Sequence, residues 1–132
     1  MARPLTRLLL DTSVVIGGSL ALAVEPEDTA AISVITIGEL RAGVRLAVDA
    51  ETQAVRQARL AAVRQMFEPI PVDESVAEQY GEILAAARAK RRTTKATDLL
   101  IIATAAATGR TLLTLDDTQR RLARAVGVSA RH

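Results

Sequence analysis

Leu8-Leu9-Leu10-Asp11-Thr12-Ser13 decides how this chain is read. Three leucines without a polar interruption fit a short strand buried on both faces. The three residues that follow are all capable helix N-caps, so the chain turns from strand into helix there. The same punctuation returns near the other end: Thr111-Leu112-Leu113-Thr114-Leu115 reads as a strand, and Asp116-Asp117-Thr118 caps a helix running to about Val126.

The intervening segments alternate in the same way. A short helix is expected from Val14 to about Ala23, then a loop at Glu25-Pro26-Glu27-Asp28 and a second strand from Ala30 to Ser33. From Ile35 the pattern is helical through Leu40, Val44 and Val48. Ala50 to Phe67 is amphipathic, with Val55, Leu60, Val63 and Phe67 on its apolar side. Pro69-Ile70-Pro71-Val72 permits only a short edge strand. Asp73-Glu74-Ser75 start a helix to about Ala89, and Thr97-Asp98 start an alanine-rich one that Gly109 ends. Val128 opens a short final strand. Strands alternating with helices give an α/β fold with a mostly parallel sheet, as one domain over residues 1–132.

Composition narrows the function. The aromatics are Phe67 and Tyr80, so the core is aliphatic and base stacking is not the main binding mode. The absence of cysteine excludes disulfides, thiolate zinc sites and cysteine nucleophiles, and fits a reducing cytoplasm. His132 is the one histidine, and its terminal place excludes a Ser-His-Asp triad and histidine-dependent RNase chemistry. No Walker-type phosphate loop is present. No uncharged run is long enough to span a membrane. Arg3 and Arg7 before an apolar stretch, with Ala21-Leu22-Ala23, imitate a secretory signal, but Asp11 interrupts that stretch.

Four acids stand alone in apolar surroundings. Asp11 is the only charge between Arg7 and Glu25, and Glu39 is the first after Asp28. Asp98 precedes an uncharged run to Arg110, and Asp116 follows the strand at Thr111–Leu115. Each has a plain explanation as a cap, a dipole partner or a solvent-facing residue. Together they suggest one shared partner, because a lone carboxylate in apolar surroundings is costly. Mg²⁺, or Mn²⁺ in its place, prefers such oxygen ligands and keeps waters. That chemistry suits phosphodiester hydrolysis. Ser13 and Thr114 can hydrogen-bond the ligands, and Asp117 either adds a contact through water or caps the last helix. The basic segment Arg88, Lys90, Arg91, Arg92 and Lys95 lies just before Asp98 and can hold an RNA backbone beside the acids. Arg41 and Arg45 can serve the same end or meet a partner protein.

These residues resemble a family. Leu8–Val14, Ser33-Val34-Ile35-Thr36-Ile37-Gly38-Glu39-Leu40, Asp98–Ala105 and Leu112–Asp117 match, in order and spacing, the PIN-domain ribonucleases, specifically the VapC toxins of toxin–antitoxin pairs. The resemblance implies a Mg²⁺-dependent endoribonuclease, inhibited by a VapB-like antitoxin and usually a homodimer. It implies a three-layer α/β/α sandwich, with Asp11, Glu39, Asp98 and Asp116 as the catalytic metal ligands. The last acid varies in this family, which leaves Asp116 and Asp117 both open. Many relatives carry an aromatic shortly afterwards, where this chain has Gln119-Arg120. Two other readings compete. A haloacid-dehalogenase-like phosphatase needs a second Asp two residues after the first, where Ser13 stands. A catalytically idle module would use the acids to hold a basic protein partner.

Overall fold

The computed structural model describes residues 6–17 and 29–132. Four parallel strands, β1 (Arg7–Leu10), β2 (Thr29–Ala31), β3 (Thr111–Leu113) and β4 (Ala130–Arg131), form one sheet in the order β2-β1-β3-β4. The helices are α1 (Thr12–Gly17), α2 (Val34–Arg45), α3 (Ala50–Met66), α4 (Glu74–Ala89), α5 (Ala96–Thr108) and α6 (Asp117–Ala125). None of the helices among the described residues is long and apolar enough to cross a membrane.

The leucine run of β1 produces two cores by simple alternation. Leu9 points to one face, packing with Leu112 and with the apolar sides of α4, α5 and α6. Leu8 and Leu10 point to the other, packing with Leu113, Val14 of α1, Leu40 and Val44 of α2, and Leu60 and Val63 of α3. Helices thus cover both faces, giving the three-layer α/β/α sandwich. Register places Leu9 beside Leu112 and Leu10 beside Leu113, so the carboxyl ends of β1 and β3 are level. The chain leaves β1 for β2 on one side, and later returns to β3 on the other. Such a switch point opens a crevice beyond the carboxyl ends of the two strands.

Local chemistry sets the helix ends. Ser33 Oγ accepts from Ile35 N–H at 3.0 Å, Asp49 Oδ1 from Thr52 N–H at 2.7 Å, and Asp73 Oδ1 from Val76 N–H at 2.9 Å. Gly109 closes α5 in the left-handed conformation, at φ 64°.

Several boundaries differ from the sequence reading. The first helix is described only to Gly17, and the rest of the expected span, with the loop at 25–28 and the signal-like Ala21–Ala23, lies outside the described residues. The second strand ends at Ala31, and Ser33 makes an isolated parallel bridge to Ile70. That bridge is all that forms of the expected strand at Pro69–Val72, because two prolines remove ladder donors. α2 ends at Arg45, leaving Val48 95% exposed, and Val55 on α3 is 56% exposed rather than buried. Helical spacing places Val55 on the stripe, but among the described residues no second layer covers that end of α3. The last strand begins at Ala130, not Val128.

Leu112 is fully buried on β3. Leu112→Ala should cost about 2–5 kcal/mol of stability, whereas Val48→Ala should stay within about 0.5 kcal/mol. Urea unfolding with unchanged slope checks both.

Candidate functional site

Asp11 follows β1 directly, and its backbone N–H donates to Leu113 O at 2.9 Å, tying the two strand ends together. Its side chain is buried. Oδ2 accepts from the Ser13 N–H at 3.2 Å and from the Thr114 hydroxyl at 3.1 Å. Gln119, also fully buried, packs its amide against the same carboxylate. With its oxygen turned inward, that amide would face only acceptors, so the nitrogen is the inward atom. So placed, it donates to Asp11 Oδ2 at 2.9 Å, to Asp11 Oδ1 at 3.1 Å, and to Thr114 Oγ1 at 2.9 Å.

Thr114 is the junction of this network. Its hydroxyl also accepts from the Asp116 N–H at 3.1 Å. With two donors already on its lone pairs, its own proton goes to Asp11. Ser13 Oγ lies 3.3 Å from Thr114 Oγ1 and accepts from Leu115 N–H at 2.9 Å. These bonds end β3 at Leu113, two residues earlier than the sequence pattern suggests, because Thr114 and Leu115 turn to serve the site.

Asp116 is the N-cap of α6, accepting at Oδ1 from Thr118 N–H at 2.9 Å and Gln119 N–H at 3.2 Å. The cap is therefore Asp116 and not Asp117, whose carboxylate pairs with Arg120 at 2.7 Å on the outside of the helix. Glu39 comes from the middle of α2. Thr12 Oγ1 lies 2.9 Å from Glu39 Oε1 and 3.0 Å from Thr36 Oγ1. One proton serves one acceptor at a time, and the carboxylate is the stronger. Asp98 sits in the first turn of α5 and accepts no hydrogen bond among the described residues.

The apolar neighbours in sequence overstate how deep these acids lie. Asp11 alone is buried; Asp98 is half-buried, and Glu39 and Asp116 reach solvent at the rim. They are close enough to act on one another. Partial burial holds the Glu39 carboxyl above its ordinary range, and the Asp11 and Asp98 charges push the same way; Thr12 and Lys95 oppose them. Burial also raises Asp98, helped by Asp11 and Asp116 and opposed by Lys95.

The acids stand between two clefts. Glu39 borders one of about 570 Å³ with Ile16, Leu40, Val55, Arg56 and Arg59. Asp98 and Asp116 border one of about 340 Å³ with Thr93, Thr94, Lys95 and Gln119. Among the described residues, no three acidic side chains as they stand are grouped so as to hold one ion. The donor set still fits a hard divalent cation, being all carboxylate oxygen, with no ion pair to any of the four among the described residues.

The basic segment does not form one strip. Lys95 lies beside the acids. Lys90 Nζ donates to Ala125 O at 2.7 Å and so caps the end of α6. Arg88 and Arg92 border a separate depression with Tyr80 and Thr94, and Arg91 turns the chain at φ 55°. Arg41 donates to Gln57 Oε1 at 3.1 Å, and Arg45 lies with it over the α2–α3 groove. Thr12, Thr36 and Gln119 were not singled out as site residues from the sequence. Gln119 did carry a signal: a polar residue on the apolar stripe of α6, with Leu122 and Ala123 at helical spacing.

Comparison with known proteins places the chain. Residues 8–125 match the model of the PIN domain family. Ribonuclease VapC4 of Mycobacterium tuberculosis is 38% identical over 115 residues, covering 84% of this chain and 87% of the relative. Ribonuclease VapC8 of the same species is 43% identical over 103 residues, covering 74% and 88%. The crystal structure of VapBC-5 from Mycobacterium tuberculosis, a member of the VapBC family of toxin–antitoxin systems, superposes with a TM-score of 0.83 at 30% identity over 96% of both chains. The family match and these relatives show that the chain belongs to the PIN-domain family, among its VapC members.

Proposed function

We propose that this protein is a metal-dependent endoribonuclease, the toxin of a VapBC-type pair. The observation that carries this is the nearness of Asp11, Glu39, Asp98 and Asp116 beyond the carboxyl ends of β1 and β3, where the charges of Asp11 and Asp98 act on Glu39 and those of Asp11 and Asp116 act on Asp98. Carboxylates this near one another repel, and a divalent cation with oxygen ligands offsets that repulsion. Mg²⁺, with Mn²⁺ as substitute, would supply an activated water and charge stabilisation at a phosphoryl oxygen.

The chain's own residues do the rest. Asp11, Glu39, Asp98 and Asp116 would hold the ion, and Ser13 and Thr114 orient Asp11 and the turn that carries Asp116. Asp117, held by Arg120, has no direct part. Lys95 meets the phosphate nearest the acids, while Arg88, Arg91 and Arg92 contact the backbone further along. Lys90 is committed to Ala125, so its part in RNA binding is secondary. Hydroxide from water bonds to phosphorus, the bridging P–O bond breaks and the departing oxygen takes the remaining proton, leaving one strand with a phosphate end and one with a hydroxyl end. The relatives' names support ribonuclease activity, and the VapBC structure supports a VapB-like antitoxin as partner. Exposed Ile16 and Val55 on the larger cleft are apolar surface suited to a protein partner. A homodimer and a cytoplasmic site of action complete the reading.

Asp11→Asn or Asp98→Asn should lower RNA cleavage by more than roughly 100-fold, with the circular dichroism spectrum unchanged. EDTA should abolish wild-type cleavage of total RNA, with new 5′ ends mapped in its absence. Full activity in either variant with Mg²⁺ present would falsify the assignment. The idle-module alternative predicts neither cleavage nor a metal-dependent thermal shift.

A second expectation concerns pH. Because folding raises the Asp98 and Glu39 values, the folded protein binds more protons than the unfolded one across that window. Stability of the metal-free protein therefore falls as pH rises from about 4 through the folded values. Asp98→Asn should melt higher than metal-free wild type at neutral pH, and the difference should vanish by about pH 3. Thermal melts across pH check this.

A further inference from the structure

We propose that Gln119 is a positioning residue that fixes the spacing and presentation of Asp11 and Asp116. The inference rests on the metal-dependent reading above and deepens it. Gln119 touches both acids from one residue: its backbone N–H donates to Asp116 Oδ1, and its buried side-chain amide donates to Asp11. The two amide protons have defined destinations. One goes to Thr114 Oγ1, and the other is shared between the two Asp11 oxygens, nearer Oδ2.

The consequence is an asymmetric carboxylate. Asp11 Oδ2 takes donors from Ser13, Thr114 and Gln119, which leaves little lone-pair capacity for anything else. Oδ1 takes only the longer share of one amide proton, so it is the oxygen offered to the ligand. Asp116 is treated alike: Oδ1 is occupied by the two α6 N–H groups, and Oδ2 is offered. Each acid thus presents one oxygen, and Gln119 sets the distance between them. A buried polar side chain with no partner in the apolar core would be costly at this position. The amide is placed for the site rather than for packing.

The test is Mn²⁺ titration by calorimetry on metal-free wild type, Gln119→Leu, Thr114→Val and the double variant. Gln119→Leu should bind Mn²⁺ roughly 10–100-fold more weakly, while its metal-free circular dichroism spectrum stays that of the folded protein. The double variant should lose less than the product of the two single effects, because both donors act on Asp11 Oδ2. With RNA, Gln119→Leu should lower kcat and leave KM unchanged. Wild-type affinity in a folded Gln119→Leu overturns the inference while leaving the nuclease reading intact; absence of Mn²⁺ binding by wild type overturns both. Should the variant not fold, NMR of wild type decides. The Gln119 side-chain amide protons should exchange slowly and shift with Mg²⁺ at the calorimetric midpoint. Fast exchange and no shift overturns the inference.

Discussion

Like charges brought near one another beyond the carboxyl ends of the two central strands are the constraint on which this molecule turns. Every other feature of the site follows from keeping Asp11, Glu39, Asp98 and Asp116 near one another at the carboxyl ends of β1 and β3. Repulsion and partial burial work against that arrangement, as the raised values of Glu39 and Asp98 record. The fold resists with fixed donors. Ser13, Thr114 and Gln119 hold Asp11, the first turn of α6 holds Asp116, and Thr12 holds Glu39. Asp98 has the charge of Lys95 nearby but no hydrogen bond of its own among the described residues, which makes it the acid most free to adjust.

The scaffold beneath is suited to that task. β1 is sealed on both faces by aliphatic side chains, and its pairing with β3 sets the two strand ends level. A packed interior of this kind deforms little, so charge placed at its rim stays where the chain puts it. The helices that bring Glu39 and Asp98 are anchored through Leu40 and Val44 on one face and Leu99, Ile101 and Ile102 on the other. Both cores therefore contribute to one site.

Much of this was legible in the residues. The strand-to-helix turn at Asp11 follows from capping chemistry, and the alanine-rich helix that carries Asp98 from its uncharged apolar run. So does the glycine stop at Gly109; α5 itself starts two residues before Asp98, at Ala96, without a side-chain cap. Burial of the acids was not legible, because an apolar neighbourhood in sequence describes the strand or helix and not the rim on which one side chain projects. Glu39 lies in an apolar run yet reaches solvent. Val55 has the spacing of a core residue yet is exposed. Adjacent acids such as Asp116 and Asp117 look alike until backbone conformation selects one as the cap. The basic segment illustrates the same limit: neighbours along a loop point apart, and Lys90 is taken by the end of α6. Gln119 could be seen as a polar break in an apolar stripe, but its partner, 108 positions away at Asp11, could only come from the fold.

Crystals soaked in Mn²⁺ and measured at its absorption edge would locate the ion directly. The account predicts one strong anomalous peak beyond the carboxyl ends of β1 and β3, roughly 2.0–2.3 Å from Asp11 Oδ1 and in contact with Asp98. An empty switch point at saturating Mn²⁺, with the acids still where they stand now, would contradict it.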